Sequence, residues 1–82
     1  MADYEFTLHA RDMLQERRIE ESWANSALAN PDWTEAKEDG TIHYIKSIKE
    51  YEGRYLRVVV NPHMEPPEIV TVFFDRRLRR ER

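Results

Sequence analysis

The 82-residue sequence has no cysteine, only two glycines and no long apolar run. Without cysteine there can be no disulfide, no thiolate metal site and no cysteine nucleophile, which fits a reducing compartment. Because Gly40 and Gly53 are the only glycines, there is no glycine-rich phosphate loop, and we expect no cofactor. No segment reaches the roughly 18 apolar residues of a membrane-spanning helix, and a signal peptide's basic start and apolar core are missing. We therefore expect a soluble, cytoplasmic protein with no membrane partner.

What the sequence does contain is enough apolar material for one hydrophobic core. Apolar residues make up 40% of the chain, with two Trp, three Phe and four Tyr, while charged residues make up 35%. This composition argues against intrinsic disorder, and the length leaves no room for a second core. We expect one domain over residues 1–82.

The charge is unevenly distributed along the chain. The last seven residues, RRLRRER, carry five Arg and one Glu, a net charge of +4. Since the whole chain has a net charge of −3, the preceding 75 residues have a net charge of −7. Residues 75–82 are therefore interpreted as a basic tail. It can attract phosphates over about a Debye length, while the acidic body opposes general nucleic-acid coating. The alternative is a solvated or frayed terminus with no partner.

Two helices are predicted in the first half, after a short edge strand at Asp3–Phe6. Thr7 occupies an N-cap position before a helix over Leu8 to Arg18, whose apolar residues recur near the helical period. A second helix over Glu20 to Ala29 is stopped by Pro31, which disfavours helical geometry in the residue before it. The first half is therefore expected to form a helical hairpin.

The second half reads as strands. WTEAKEDGTIHYIKSIK forms two arms around Asp39-Gly40, a dipeptide suited to a two-residue hairpin turn. RYLRVVVN and EIVTVFFD are rich in β-branched and aromatic residues, and the prolines of PHMEPP mark a loop between them. The predicted fold is α+β, with two N-terminal helices packed on a four-stranded antiparallel sheet.

Alternation along the last two strands separates an apolar face from a mixed one. The apolar sets are expected to face the helices: Leu56, Val58 and Val60 in one strand, and Val70, Val72 and Phe74 in the other. The other face would then display polar and aromatic side chains, namely Arg57, Thr71, Asp75 and Tyr55. An arginine on such an apolar strand pair needs an explanation.

Metal chemistry is not indicated, because His9, His43 and His63 have no metal-ligand spacing. A metal-independent ribonuclease is chemically possible, since it needs a base, an acid and cations around the phosphate. His9 in the first turn of a helix feels the positive dipole end, which favours the neutral imidazole. Arg17 lies about two turns further along the helix. The plain alternative is that His9 only caps or packs that helix.

Arg57 is the second candidate, from the sheet. Its planar guanidinium could bind phosphate, with Thr71 as a hydroxyl partner. The structural alternative is that Arg57 forms an ion pair with Asp75 across the sheet.

Several short motifs carry a family resemblance over nearly the whole chain. These are F-T-x-H-A-x-x-M from Phe6, E-R-x-I from Glu16, N-P at Asn30, G-R-Y-L-R-V-V-V from Gly53 and T-V-F-F-D-R-R from Thr71. As a set they resemble the bacterial and archaeal family called domain of unknown function 4258. That family in turn resembles the RelE and BrnT toxins, which place helices against a curved antiparallel sheet and cut RNA without metal.

The resemblance implies a RelE/BrnT-like fold and a catalytic cleft lined by His9, Arg17, Arg57 and Thr71. In that cleft His9 would act as base or acid and the arginines as phosphate clamps. The leading hypothesis is a toxin-type endoribonuclease with RNA as substrate and a small antitoxin-like protein as partner. The acidic composition of this chain, with pI ≈ 5.6, differs from that of RelE-type toxins, which are usually basic.

The alternative hypothesis is a non-catalytic module that binds a protein or a nucleic acid through its sheet edge or its basic tail. Whether the chain is an enzyme therefore stays open. The predicted nucleic-acid-binding residues are Arg54, Arg76, Arg77, Arg79 and Arg80.

Overall fold

A computed structural model describes residues 4–78 of the chain. Seven helices and strands follow one another in these residues: β1 (Glu5–Phe6), α1 (Leu8–Glu16), α2 (Glu21–Ala29), β2 (Trp33–Ala36), β3 (Ile42–Ile48), β4 (Arg54–Asn61) and β5 (Glu68–Phe74). A short 3-10 turn, Lys49–Tyr51, connects β3 to β4. The α+β class is confirmed.

The sheet has five strands in the order β1-β5-β4-β3-β2. The pairs β2–β3, β3–β4 and β4–β5 are antiparallel, whereas β1 is parallel to β5, pairing Glu5 with Glu68 and Phe6 with Ile69. The prediction of four antiparallel strands is wrong in this respect. β1 has only two residues, too few for an alternation pattern, and its partner strand lies at the far end of the sequence. Asp3, the expected start of this strand, lies outside the described residues.

The boundaries of α1 follow from local hydrogen bonding. Thr7 Oγ1 accepts a 3.1 Å hydrogen bond from the Ala10 amide, which confirms the predicted N-cap. At the other end the Ile19 amide bonds to the Leu14 carbonyl at 2.8 Å, and Arg18 has a left-handed φ of 56°. This is the Schellman arrangement, with arginine at the position where glycine is usual. It ends α1 two residues before the predicted Arg18 and turns Ile19 into the core.

The core lies between one face of the sheet and the two helices. α1 packs on β5, and α2 packs on β3 and β4. The helices contribute small or branched apolar residues and the sheet contributes larger ones: Ala10, Leu14, Ala24 and Ala27 meet Ile48, Leu56, Val58, Val60, Ile69 and Val72. The predicted inward face of β4 is therefore confirmed. Within residues 4–78, no helix combines the length and apolar character needed to cross a membrane.

A β-bulge changes which residues of β5 face the helices. Val59 pairs with Thr71 and Val60 pairs with Ile69, so Val70 is an extra residue in β5. Ile69 is consequently buried in the core, and the predicted inward set of Val70, Val72 and Phe74 is wrong at Val70. Strict alternation could not reveal this, because the extra residue resets the period.

The β2–β3 hairpin has a longer loop than the two-residue turn predicted at Asp39-Gly40. The Lys37 amide bonds to the Thr41 carbonyl at 2.9 Å, which encloses three residues. Gly40 takes a φ of 93°, as expected where the last loop residue must adopt a conformation that side chains disfavour. The Asp39 carboxylate accepts a 2.9 Å hydrogen bond from the Thr41 amide and holds the turn.

Candidate functional site

Arg57 lies on the face of the sheet that the helices do not cover, and it is only 5% exposed. Its Nε donates to Asp75 Oδ2 at 3.0 Å, and one terminal nitrogen lies 2.8 Å from the same oxygen. The other terminal nitrogen lies 3.0 Å from both Glu35 Oε1 and His43 Nδ1. The structural alternative predicted for Arg57, pairing with Asp75 across the sheet, is therefore what the geometry shows. These four residues and Arg77 are termed the Arg57 network.

The two carboxylates of the Arg57 network are held in the ionised form. Hydrogen bonds from Trp33, Lys37 and Arg57 lower the pKa of Glu35 from 4.5 to about 2. Hydrogen bonds from Arg77, and then from Arg57, lower the pKa of Asp75. Asp75, the first residue after β5, therefore forms ion pairs with two guanidiniums, those of Arg57 and Arg77.

His43 contributes a neutral ring to the Arg57 network. Burial, followed by the positive charge of Arg57, lowers the pKa of His43. Because a guanidinium can only donate, Nδ1 must accept and the ring proton must sit on Nε2. The free nitrogen of His43 is therefore a donor and cannot take a proton from a ligand.

Sequence reasoning did not assign roles to Glu35 and His43. The two residues pair directly across the β2–β3 hairpin. Counting outward from the observed three-residue loop places them opposite each other. A carboxylate opposite a histidine near a buried arginine is a recognisable pattern. The error of one residue in the predicted turn length obscured that pairing.

A cleft of about 800 Å³ opens at the end of the sheet, where α1 ends and β5 leaves the fold. We name it the arginine cleft. Its lining combines three arginines, two aromatic rings, two carboxylates, a glycine and a leucine. These are Arg17, Arg54, Arg76, Tyr51, Phe74, Glu52, Asp75, Gly53 and Leu78.

The three arginines of the cleft differ from Arg57 in their pairing. Among residues 4–78, neither Arg17 nor Arg76 forms a side-chain hydrogen bond or an ion pair with a carboxylate. Arg54 reaches Glu52 at 4.0 Å, with both side chains more than half exposed. Such an exposed pair is weak and competes poorly with a bound anion. These three guanidiniums can therefore receive an anionic ligand, whereas that of Arg57 cannot.

Aromatic rings form the apolar part of the cleft. The Tyr51 and Phe74 ring centroids lie 4.6 Å apart at an interplanar angle of 30°. Trp23 packs against both rings, at 5.7 Å and 6.0 Å. Phe74 and Trp23 also pack against the core, so this cluster is fixed in position.

The residues expected to line a catalytic cleft are not brought together. His9 is exposed in the first turn of α1, on the helix side of the sheet, whereas Arg57 and Thr71 belong to the opposite side. Arg17 is the C-cap of α1, about 12 Å along the helix axis from His9 at 1.5 Å per residue. His9 and Arg17 lie on roughly the same side of α1, as predicted, but the rise along the helix axis separates them. The alternation of side chains along the strands places Arg57 and Thr71 on the other face of the sheet.

The predicted nucleic-acid-binding arginines divide into three groups. Arg54 and Arg76 line the arginine cleft. Arg77 is bonded to Asp75, with Nε 3.2 Å from Oδ1. Arg79 and Arg80 lie outside the described residues.

The remaining acidic and histidine side chains suggest no metal centre. In the part of the chain that the structure describes, no three His, Asp or Glu residues lie close enough together to hold a metal ion.

Comparison with known proteins gives one match. A family model described as "Domain of unknown function (DUF4258)" matches residues 6–74. Neither the curated proteins nor the solved structures include a significant match. The predicted family is therefore confirmed, and the more distant resemblance to RelE and BrnT toxins stays a prediction.

Proposed function

We propose that this chain, which belongs to the DUF4258 family, is a non-catalytic module that binds single-stranded RNA in the arginine cleft. The observation that carries the proposal is the convergence of Arg17, Arg54 and Arg76 on one aromatic-lined cleft. Two of these guanidiniums have no carboxylate partner within residues 4–78, and the third has only a weak one.

The charge of the cleft favours a phosphate backbone. Each guanidinium presents several donors in a planar fork that matches phosphate oxygens. Asp75 borders the cleft, but Arg57 and Arg77 already neutralise it. Glu52 is the other lining carboxylate, so the arginines outnumber the free negative charge. The acidic remainder of the chain restricts binding to this place.

The aromatic lining favours a single strand over a duplex. Bases of a single strand can stack on protein rings, whereas those of a duplex are already stacked on one another. A cleft that combines arginines with Tyr51 and Phe74 suits a ligand with alternating phosphates and flat bases.

The endoribonuclease hypothesis gains no support from this arrangement. Cleavage without metal needs a proton acceptor beside the bound phosphate. Within residues 4–78 no histidine lines the arginine cleft, and the lone pair of His43 is taken by Arg57. His9 lies near the opposite end of α1 from Arg17.

Fluorescence anisotropy with a labelled single-stranded RNA of about ten nucleotides tests the proposal. We expect the logarithm of the association constant to fall with the logarithm of salt concentration with a slope of about −2, since three phosphate contacts on a single strand contribute about −0.7 each. Arg17→Ala, Arg54→Ala and Arg76→Ala should each reduce the magnitude of this slope by about 0.7. Arg11→Ala, on the exposed side of α1, is the matched control and should bind like the wild type.

Two outcomes would overturn the proposal. One is equal binding by the control and the three cleft variants, which would place the RNA elsewhere. The other is cleavage of the RNA by repeatedly purified wild-type protein, which would restore the endoribonuclease hypothesis.

A further inference from the structure

We propose that a nucleobase stacks on the ring of Tyr51, and that it displaces the guanidinium of Arg54, which covers this ring in the free protein. The inference rests on the proposed function and deepens it. The arginine cleft then recognises bases as well as phosphates, with Tyr51 as the side chain that contacts the base.

Tyr51 has the placement that a stacking residue needs. It is 40% exposed, although its ring is held against Phe74 and Trp23. Because the ring is already fixed in position, it can accept a base without first being ordered. Binding then avoids the entropic cost of immobilising a mobile side chain.

The chain turn after Tyr51 explains why Arg54 covers the ring. Glu52 and Gly53 both have positive φ, 60° and 74°, which reverses the chain between the 3-10 turn and β4. Arg54 therefore comes back over the ring three residues earlier in the sequence, with its Cζ 5.4 Å from the ring centroid. The guanidinium occupies the place of a flat ligand.

Displacement of Arg54 by a base is favourable on two grounds. An exposed cation–π contact is weaker than the stacking of a base on an aromatic ring. Among residues 4–78 the carboxylate that holds the guanidinium back is Glu52, at 4.0 Å and in solvent, so the guanidinium can move to an adjacent phosphate. One residue thus covers the stacking surface in the free protein and contacts the backbone in the complex.

Oligonucleotides with and without bases provide the test. The affinities of the wild type, Tyr51→Leu and Tyr51→Phe are measured at fixed salt for a single-stranded RNA and for an abasic strand of the same length. The wild type and Tyr51→Phe should bind the RNA about tenfold more tightly than the abasic strand. Tyr51→Leu should lose this preference, because its affinity for the RNA falls to that for the abasic strand.

A spectroscopic measurement on the wild type keeps the test decisive if Tyr51→Leu fails to fold. The ring protons of Tyr51 should shift upfield in the NMR spectrum on addition of RNA and stay in place with the abasic strand. Ring protons that respond equally to both strands would overturn the stacking role.

The outcomes separate this inference from the proposed function. Equal wild-type affinity for both strands, with the loss caused by Arg17→Ala intact, would overturn stacking on Tyr51 and leave phosphate binding in place. Failure of the wild type to bind either strand would overturn both proposals.

Discussion

The guanidinium of Arg57 and the carboxylate of Asp75 lie 2.8 Å apart, and both side chains are less than a tenth exposed. Arg57 belongs to the middle of β4 and Asp75 follows the end of β5, so the pair ties the end of the last strand to its neighbour. It also neutralises a carboxylate that borders the arginine cleft.

Asp75→Asn should lower the free energy of unfolding by about 3 kcal/mol, because it leaves a buried guanidinium without its main counter-charge. Glu35→Gln is the matched control. Its carboxylate contacts the same guanidinium but is about one-third exposed, so its loss should cost less than about 1 kcal/mol. Urea unfolding of both variants checks this. Equal losses would mean that burial does not set the strength of the Arg57 network.

Stability should fall as the pH is lowered, in two stages. The pKa of His43 is depressed from its ordinary 6.5, so below that value the unfolded chain takes up a proton that the folded chain resists. Glu35 behaves in the same direction, from 4.5 down to about 2. Thermal unfolding measured between pH 6.5 and pH 4.5 should show the first loss of stability, the one due to His43. This loss should disappear in His43→Asn, whose amide oxygen can still accept from Arg57. A first loss of the same size in His43→Asn would assign it to another group.

Thr7→Val should destabilise the fold by about 1–2 kcal/mol, since it removes the N-cap of α1. The single proton of the same hydroxyl is shared between the carbonyls of Ile69 and Val70, at 3.1 Å and 3.2 Å. Thr7→Ser, which keeps the hydroxyl, should unfold close to the wild type in a urea titration. If Thr7→Ser were as unstable as Thr7→Val, the methyl group rather than the hydroxyl would matter.

Gly40→Ala should cost about 1 kcal/mol from its left-handed backbone alone. A Cβ at Gly40 would also lie 3.3 Å from Nε2 of His63, in the loop between β4 and β5. The two causes can be separated with His63→Ala, since the double variant should recover only the part due to crowding. Calorimetric melting temperatures of the two single variants and the double variant provide the measurement.

His9→Gln should change neither the free energy of unfolding, beyond about 0.5 kcal/mol, nor the affinity for RNA. The side chain is exposed and lies outside the lining of the arginine cleft. Urea unfolding and fluorescence anisotropy check the two quantities. The endoribonuclease hypothesis requires the opposite result in one respect, namely RNA cleavage by the wild type that is lost in this variant.

The sequence predicted the parts of the fold that depend on local patterns. Thr7 as an N-cap, the inward face of β4 and the hairpin around Gly40 all follow from spacing or from backbone preference. The pairing of β1 with β5 and the bulge at Val70 could not be predicted, because each depends on contacts between distant segments. The expectation that His9 and Arg57 share one cleft comes from the family resemblance, whereas in the structure they lie on opposite sides of the sheet.

The candidate site was predicted in part. Sequence patterns single out Arg54 and Arg76 for nucleic-acid binding and Arg17 for catalysis, with no indication that the three meet. Their convergence depends on where α1 ends and where β5 leaves the sheet. Arg57 stands out in the sequence as a charge on an otherwise apolar strand. The structure explains this charge by its ion pairs with Asp75 and Glu35.

The bonds from Thr7 to β5 also constrain the order in which the molecule can be completed. They join residues 62 and 63 positions apart, and β1 docks beside the last strand of the sheet. During synthesis β1 and the start of α1 must wait until β5 has left the ribosome. Helix α1 can form earlier by itself, but a helix of nine residues is marginal without its packing partner. The final step of folding is therefore expected to be the closure of the first residues onto the last strand.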